Sequence, residues 1–204
     1  MKTLLVNGSP RQNGNTSVAL AEVAKTLEAE GIETETYWIG AKPVRGCVAC
    51  GKCRETGRCV FDDDAANALA AKMAEADAVV VGSPVYYGQP NGALLALLQR
   101  ALFSASSAVA GKPVATVAVC RRGGATAAFQ CLNMPFQMVN CTVVGSQYWN
   151  IAYGREAGEA AKDAEGMQTM RTLARNLAWL LKSAAAAAVP RPGRETWAPM
   201  HFIR

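Results

Sequence analysis

The sequence predicts one α/β domain with a doubly wound, five-stranded parallel sheet that has helices on both faces. Three observations predict it. Short apolar runs alternate along the chain with longer segments whose apolar residues recur at helical spacing. One of the short runs, at 76–82, is rich in consecutive β-branched residues, as in a strand that is covered on both faces. The 204 residues, half of them apolar, are enough for one domain with a sizeable core.

The first part of the chain predicts a strand, a loop, a helix and a second strand. Residues 2–7 form a short apolar run that stops at GSP, 8–10. A helix is predicted from Thr16 to a stop at Gly31, because apolar residues recur there at i, i+3, i+4 and i+7 spacing. The segment ETETYWI at 33–39 alternates polar and bulky residues, as a half-buried edge strand does.

The middle of the chain continues this alternation. Residues 62–75 predict a short helix, because the aspartates that open it suit the positive end of the helix dipole. The third strand is predicted at 76–82, and a turn at GSP, 82–84, follows it. A helix at 93–103 and a fourth strand at 112–120 come next.

The last part predicts a helix from about Thr126 until Pro135 interrupts it, a fifth strand at 141–149 and a long final helix. We expect the domain to span residues 1–183 and an irregular tail to follow at 184–204. Large apolar side chains in that tail predict that it docks on the same subunit or on a neighbour: Trp197, Phe202 and Ile203.

Charge and hydropathy exclude some partners. The net charge of +5 is spread without a Lys/Arg block or an aromatic-rich basic stripe, which argues against a nucleic-acid partner. No run approaches the ~20 uncharged apolar residues that a membrane helix needs, and the N-terminus turns polar too early for a signal peptide. We therefore expect a cytoplasmic protein with no membrane partner, in a compartment where thiols stay reduced.

The loop after the first strand predicts an anion site, because ligands of doubly wound sheets bind outside the carboxyl ends of the strands. GSPRQNGNTS at 8–17 combines small residues with hydroxyl, amide and cationic donors, and it ends at a helix start whose free N–H groups attract anions. It lacks the Lys-Ser/Thr end of a P-loop and the G-x-G-x-x-G of a dinucleotide fold. A terminal phosphate monoester is the predicted ligand, and a helix cap without a ligand is the alternative.

Two further loops at this edge of the sheet predict a site for a planar ring. GSPVYYGQPNG at 82–92 offers aromatic surface from two tyrosines, stiffness from two prolines and close backbone approach at its glycines. CRRGGAT at 120–126 carries two arginines and a glycine pair, residue types that an ordinary solvated turn also contains.

Four of the seven cysteines lie within residues 46–60 at C-x2-C-x2-C-x5-C spacing: Cys47, Cys50, Cys53 and Cys59. This spacing allows four thiolates to close around one 4Fe-4S cluster. A zinc ribbon needs two separated C-x2-C knuckles and fits less well, while an empty or oxidised cysteine loop stays open as an alternative. The other cysteines are too scattered to be ligands and are expected to be small buried residues: Cys120, Cys131 and Cys141.

Side-chain acid–base chemistry has little support in the sequence. His201 is the only histidine, which excludes a histidine dyad or triad, and the G-x-S-x-G motif of hydrolases is absent. We therefore expect a cofactor to carry the chemistry, and no catalytic side chain.

The strings GSPRQNGNTS and GSPVYYGQPNG, with the cysteine segment between them, resemble the flavodoxin-like NADPH-dependent FMN reductases, and most closely the iron-sulfur flavoproteins, over about residues 1–182. The resemblance implies a flavodoxin-like fold and an FMN whose phosphate is surrounded by Ser9, Arg11, Asn13, Asn15, Thr16 and Ser17. It implies that the isoalloxazine lies along Pro84, Val85, Tyr86, Tyr87 and Gly88. We expect the pyrimidine edge of the flavin near Arg121, Arg122, Gly123 and Gly124, where arginine would stabilise the anionic reduced flavin.

The same resemblance implies an FMN-dependent oxidoreductase or electron-transfer flavoprotein that passes electrons between a 4Fe-4S cluster and FMN. It also implies a homo-oligomer, a dimer or tetramer in which a cluster lies near the flavin of an adjacent subunit, and ferredoxin or another electron carrier as a partner. Two alternatives stay open. One is a cluster-free NAD(P)H-dependent reductase of FMN, quinones, or nitro or azo compounds, and the other is a non-catalytic flavin-binding protein.

Overall fold

The computed structural model describes residues 1–193, 195, 196, 198 and 200. Its strands are β1 (Lys2–Asn7), β2 (Glu33–Trp38), β3 (Ala78–Tyr86), β4 (Gln89–Pro90), β5 (Pro113–Cys120), β6 (Thr142–Val143) and β7 (Ile151–Tyr153). Its α-helices are α1 (Asn15–Ala29), α2 (Cys53–Thr56), α3 (Ala66–Glu75), α4 (Gly92–Val109), α5 (Ala125–Met138) and α6 (Ala164–Ala186), and a 3₁₀ turn at Glu159–Lys162 precedes α6.

The strands form the predicted doubly wound sheet. Their order is β2-β1-β3-β5-β6, and all the pairs along that path are parallel. The chain leaves β1 for β2 on one side and returns to β3 on the other, so the switch point lies between β1 and β3. β7 also pairs in parallel with β5, further along β5 than the residues that pair with β6. Only the two-residue β4 runs antiparallel, and it forms a hairpin with β3.

Helices cover both faces of the sheet. The side chains of β1 alternate between these faces: Leu5 packs with residues of α1 and α6, whereas Leu4 and Val6 pack with residues of α3, α4 and α5. Because both faces are covered, β1 and β3 read as continuous apolar runs rather than alternating ones. The predicted fold class is confirmed.

β3 continues through the segment that predicted a turn at 82–84. Gly82, Ser83 and Pro84 pair with Val117, Ala118 and Val119 of β5. β1 ends its pairing with β3 at Gly82, so Pro84 lies where β3 has a neighbour on one side only and a missing N–H is tolerated. The predicted turn is therefore wrong, and the extended strand carries the side chains of residues 83–86 outward past the end of β1.

Two predictions about the last part of the chain are also wrong. Pro135 does not interrupt its helix: α5 runs to Met138, because Leu132 and Phe136 are fully buried on either side of the proline and hold the turn in place. The fifth strand does not run over 141–149 but is divided into β6 and β7, which pair with opposite ends of β5.

α4 is the one described helix that is long and apolar enough to span a membrane, with a mean hydropathy of 1.3 over 18 residues. Its apolar side chains instead pack in the core against α3 and the sheet, among them Leu94, Leu97 and Leu98. The tail prediction that rested on Trp197, Phe202 and Ile203 lies outside the described residues.

Candidate functional site

A cavity of about 170 Å³ lies at the carboxyl ends of β1, β3 and β5, beside the switch point. Four loops line it: Ser9, Arg11, Gly14, Asn15 and Thr16 from the first, Pro84, Val85 and Tyr86 from the second, Val119, Cys120 and Arg121 from the third, and Gly154, Arg155 and Ala157 from the fourth. We call this space the flavin cavity, after the ligand that the sequence predicts for it. It contains residues from each of the three loops that the sequence predicted to hold a ligand.

The first loop is held by side chains that bind its carbonyl groups. Asn91 donates its side-chain N–H to Gly8 O at 2.8 Å, and the indole of Trp38 donates to Ser9 O at 2.7 Å. The side-chain oxygen of Asn7 accepts the N–H of Ser9 at 3.1 Å. These three hydrogen bonds fix the loop without using the N–H groups at the start of α1.

The start of α1 is open to an anion. Gly14 precedes the helix, and no side chain of the described residues caps its first turn. The alternative of a self-capped helix therefore has no support in this geometry, and the free N–H groups, with the positive end of the helix dipole, favour a bound phosphate.

The predicted phosphate residues do not all face the cavity in the same way. Ser9 and Thr16 are buried in its wall, and Arg11 lines it from an exposed position. Asn13 is exposed and Ser17 half-buried, and neither lines the cavity. Their predicted role at the phosphate stays a prediction.

Asn15 binds the fourth loop. Its side-chain N–H donates to Glu156 O at 2.9 Å, and its side-chain oxygen accepts the N–H of Ala160 at 3.0 Å. Gly154 lies against this contact, since a Cβ at that position would come within 2.7 Å of Ala160 N and 2.8 Å of the Asn15 amide nitrogen. The fourth loop can approach the flavin cavity this closely only because residue 154 is glycine.

The fourth loop was missed in the sequence. Gly154, Arg155 and Ala157 directly follow β7, so they too lie at the carboxyl end of a strand. A signal existed in the apolar triplet IAY followed by glycine, but the fifth strand was predicted to end before it. Arg155 adds a third cationic side chain to a cavity in which the sequence predicted Arg11 and Arg121.

The second loop forms the rim through a tight hairpin. Val85 pairs with Pro90 and Tyr86 with Gln89, which leaves Tyr87 and Gly88 as a two-residue turn with φ of 51° and 78°. Pro84, Val85 and Tyr86 line the flavin cavity, whereas Tyr87 is fully exposed and does not.

The third loop packs on this hairpin. A Cβ at Gly124, whose φ is 87°, would lie 2.8 Å from the Cα of Gly88, so the glycine pair does more than make a turn. Arg121 lines the flavin cavity, while Arg122 and Gly123 are exposed beside it. Burial raises the pKa of the Cys120 thiol in the wall, against hydrogen bonds from the backbone of Arg122 and Ala125, so this cysteine is a neutral wall residue.

A second cavity, of about 120 Å³, is lined by all four cysteines of the predicted cluster motif: Cys47, Cys50, Cys53 and Cys59. We call it the cysteine cavity. Its remaining wall is mainly apolar, with two arginines: Val48, Ala49, Gly51, Arg54, Val60, Phe61, Arg100 and Phe103. All four cysteines therefore line one space, and their role as cluster ligands stays a prediction.

The donor set consists of four thiols, the ligand type of both iron–sulfur clusters and structural zinc. All four thiols are free, and no three His, Cys, Asp or Glu side chains in the described part of the chain lie close enough to hold one metal ion. Cys47 and Cys50 are exposed, and Cys53 and Cys59 are half-buried. The four thiols line one cavity, and their residue type suits a sulfur-ligated metal group.

Cys59 is hydrogen-bonded through both its backbone and its sulfur. Asn67 of α3 accepts the N–H of Cys59 at 2.9 Å and donates to its carbonyl oxygen at 3.0 Å. Arg100 of α4, which is only 2% exposed, donates from Nε to the Cys59 sulfur at 3.3 Å. Burial opposes the charge of Arg100, but hydrogen bonds to Asp64 and Cys59 outweigh it and raise the pKa of the guanidinium.

Arg100 was also missed in the sequence, where it is the one charged residue in an apolar helical stretch at 92–103. The basic residues that surround the motif are partly neutralised: Arg58 pairs with Asp62, and Arg45 with Asp63. The expectation for the scattered cysteines holds fully for Cys120, which is buried, and partly for Cys131 and Cys141, which are half-buried.

Residues 1–156 match the protein family described as NADPH-dependent FMN reductase. An iron-sulfur flavoprotein of Methanocaldococcus jannaschii is 32% identical over 192 residues, which cover 89% of this chain and 98% of that protein. A crystal structure of RosB with bound 8-demethyl-8-formylriboflavin-5'-phosphate superposes with a TM-score of 0.72 at 15% identity, covering 100% of this chain and 95% of that one. An archaeal flavodoxin superposes with a TM-score of 0.61 at 15% identity, covering 89% and 99%. At these identities the two structures bear on the fold alone, which is flavodoxin-like as predicted.

Proposed function

The chain belongs to the NADPH-dependent FMN reductase family and, within it, to the iron-sulfur flavoproteins, and we propose that it is an FMN-dependent electron-transfer oxidoreductase whose cysteine cavity holds a 4Fe-4S cluster. The observation that carries the proposal is that one domain has two built cavities. One adjoins an uncapped helix start at the carboxyl ends of the strands, and the other is surrounded by four thiols. FMN, when bound, supplies chemistry that couples single electrons to electron pairs, and a cluster supplies single electrons.

In the flavin cavity, the protein's task is to bind and orient the nucleotide. The free N–H groups at the start of α1, with Ser9 and Thr16, would hold the phosphate, and Arg11 would offset its charge. The outward part of β3 would support the ring, and Arg121 would stabilise negative charge at its pyrimidine edge. Hydrogen bonds from Asn91 and Trp38 hold the first loop without a ligand, so the phosphate end of the site is preorganised.

In the cysteine cavity, the protein's task is to ligate the cluster and exclude water. Four thiols would bind iron, while Val48, Val60, Phe61 and Phe103 supply an apolar wall. Arg100 and Arg54 would balance the negative charge of the thiolate-bound group.

The apolar rim of the cysteine cavity supports an oligomer. Val48, Val60 and Phe103 are about half exposed, at 59%, 51% and 52%. We propose that a second copy of the chain covers them in a dimer or tetramer, with a cluster near the flavin of the adjacent subunit. A ferredoxin or a similar carrier would exchange electrons with the cluster in the reducing cytoplasm.

Anaerobic purification tests the proposal most directly. Iron, acid-labile sulfide and flavin should be present in a ratio of about four to four to one per chain. Reduced ferredoxin should bleach the flavin, and NADPH alone should not. Flavin without iron and sulfide would overturn the cluster assignment, and a chain that takes up no FMN would overturn the whole proposal.

A cluster-free NAD(P)H-dependent reductase is the second candidate. The exposure of Cys47 and Cys50, and the match to the NADPH-dependent FMN reductases, favour it. Hydride would then arrive directly at the flavin, so NADPH would bleach FMN without a carrier protein. Bound flavin with no turnover from any electron donor would instead identify a non-catalytic flavin-binding protein.

A further inference from the structure

Arg100 is a buried charged residue whose guanidinium nitrogens all donate hydrogen bonds. All the partners of its side chain belong to the segment that carries the cysteines. Its three guanidinium nitrogens reach four acceptors: Cys59 Sγ at 3.3 Å, Arg45 O at 3.3 Å, Phe61 O at 3.0 Å and the carboxylate of Asp64. Arg100 itself lies on α4, whose apolar side chains are part of the core. One core side chain thus binds both ends of the 45–64 segment.

A structural ion pair does not account for this arrangement. The side chains of Arg100 and Asp64 are 1% and 7% exposed, and a buried ion pair of this kind often stabilises a fold no better than an apolar pair would. A pair with Asp64 would engage one edge of the guanidinium only. The Nε–H is directed instead to a thiol that lines the cysteine cavity, and the planar fork of arginine is what allows one side chain to satisfy all four acceptors.

The four thiols are therefore not equivalent. Cys59 is fixed through its sulfur by Arg100 and through its backbone by Asn67, whereas Cys47 and Cys50 are exposed on the opposite stretch of the segment. Arg100 is also the buried one of the two arginines in the wall of the cavity, since Arg54 is exposed.

We propose that Arg100 is a positioning residue of the cysteine cavity, which sets Cys59 in place for the sulfur-ligated group and stabilises the reduced state of that group through its N–H and its charge. This inference rests on the proposed 4Fe-4S cluster. Hydrogen bonds to ligand sulfur and nearby positive charge raise the potential of iron–sulfur centres, so removing Arg100 should lower it.

The variants are purified anaerobically as holoprotein. Arg100→Lys tests the role of the planar guanidinium, because it keeps a buried positive charge. Arg100→Met combined with Asp64→Asn removes the ion pair as a whole and avoids an unpaired buried carboxylate, and the amide oxygen introduced at position 64 can still accept the N–H of Ala66 that Asp64 accepts at 3.0 Å. Arg58→Met is the matched control, because Arg58 belongs to the same segment but is exposed and pairs with Asp62 at the surface. Iron, sulfide and FMN per chain are measured, together with the midpoint potential of the cluster.

Both Arg100 variants should retain FMN at the wild-type level and shift the cluster potential to lower values, with a partial loss of iron in the double variant. Arg58→Met should change neither quantity. Wild-type potential and iron content in both Arg100 variants would overturn the inference alone, since the cluster itself would be present. Wild-type protein that contains FMN but no iron or sulfide would overturn the cluster proposal, and this inference with it.

Discussion

The position of the fourth loop in the wall of the flavin cavity depends on the absence of a side chain at Gly154. A methyl group at residue 154 would meet Ala160 N at 2.7 Å and the Asn15 amide at 2.8 Å, two groups that hydrogen-bond to hold the fourth loop. Gly154→Ala should therefore displace this loop, cost about 1–3 kcal/mol in the free energy of unfolding and weaken FMN binding. Chemical denaturation and titration by flavin fluorescence measure the two effects.

Gly145→Ala is the matched control for that variant, because no heavy atom lies within 4 Å of a Cβ built at Gly145. It should change FMN affinity little. Equal FMN affinities for Gly154→Ala and the wild type would contradict a role for the fourth loop in the cavity wall.

At the residue scale, the sequence predicts site residues in those loops where small, polar and aromatic residues are concentrated. Ser9, Arg11, Thr16 and the outward residues of β3 line the cavity as residue types suited to phosphate and ring. The sequence does not predict Arg155 and Arg100 as lining residues, because tertiary packing alone brings each of them to its cavity. A single arginine after a three-residue strand, or within an apolar helix, has no local pattern that separates it from a surface or core residue.

At the scale of elements, the start of α1 is the feature that should discriminate between flavins. Its first turn has no cap from the described side chains, so a phosphate there gains N–H donors and the helix dipole, which riboflavin cannot use. FMN should raise the melting temperature of the apoprotein well above the effect of riboflavin, and saturation at 100 times Kd corresponds to about 2.7 kcal/mol. Equal shifts for FMN and riboflavin in a thermal denaturation series would place the phosphate away from α1.

The edge strand β2 is joined to its neighbours by Glu35. The carboxylate binds Lys2 of β1 at 2.5 Å and also Lys72 of α3, and these hydrogen bonds hold the pKa of Glu35 below its usual range. A carboxyl whose pKa is lowered by folding adds stability above its unfolded pKa and loses it on protonation. Wild-type protein should therefore be more stable than Glu35→Gln at pH 7, and this difference should shrink as the pH falls below about 4.3.

Melting temperatures across that pH range measure the effect for Glu35. Glu33→Gln is the control, because Glu33 is exposed on the same strand and makes no salt bridge in the described structure. A difference between wild type and Glu35→Gln that stays constant from pH 7 to acid would show that the ion pairs with Lys2 and Lys72 do not stabilise the sheet edge.

Helices and strands are predictable where one pattern of apolar residues continues over the whole element. The prediction fails where strand pairing or core packing outweighs a local signal such as a proline. Continuous apolar runs predict the central strands correctly. Pro84 and Pro135 predict breaks, but Pro84 lies beside a free strand edge and Pro135 lies between two buried side chains. The division of the fifth strand follows from pairing with two ends of β5, which no local sequence records.

At the scale of the whole molecule, the two cavities share no lining residue. The flavin cavity is built on the carboxyl ends of the strands, and the cysteine cavity on the 45–64 connection and α4. The connection lies between β2 and α3, so it can change without altering the pairing of β1 with β3. The architecture therefore predicts that the two proposed cofactors can be lost independently.

Cys59→Ser tests this independence. The hydroxyl is a poor ligand for iron, so iron and sulfide should fall to a small fraction of the wild-type content, while FMN stays near one per chain because no residue of its cavity is changed. Electron transfer from a reduced one-electron carrier to the flavin should fall with the iron content. Metal analysis, the flavin spectrum and anaerobic reduction measure these quantities.

Cys131→Ser is the control, because Cys131 is a half-buried free cysteine of α5 that lines neither cavity. It should retain iron, sulfide, flavin and electron transfer. Loss of FMN together with iron in Cys59→Ser would mean that the two sites are coupled through the fold. Undiminished reduction of the flavin by the carrier would instead mean that electrons reach FMN directly, and the cluster would then be no step on the route.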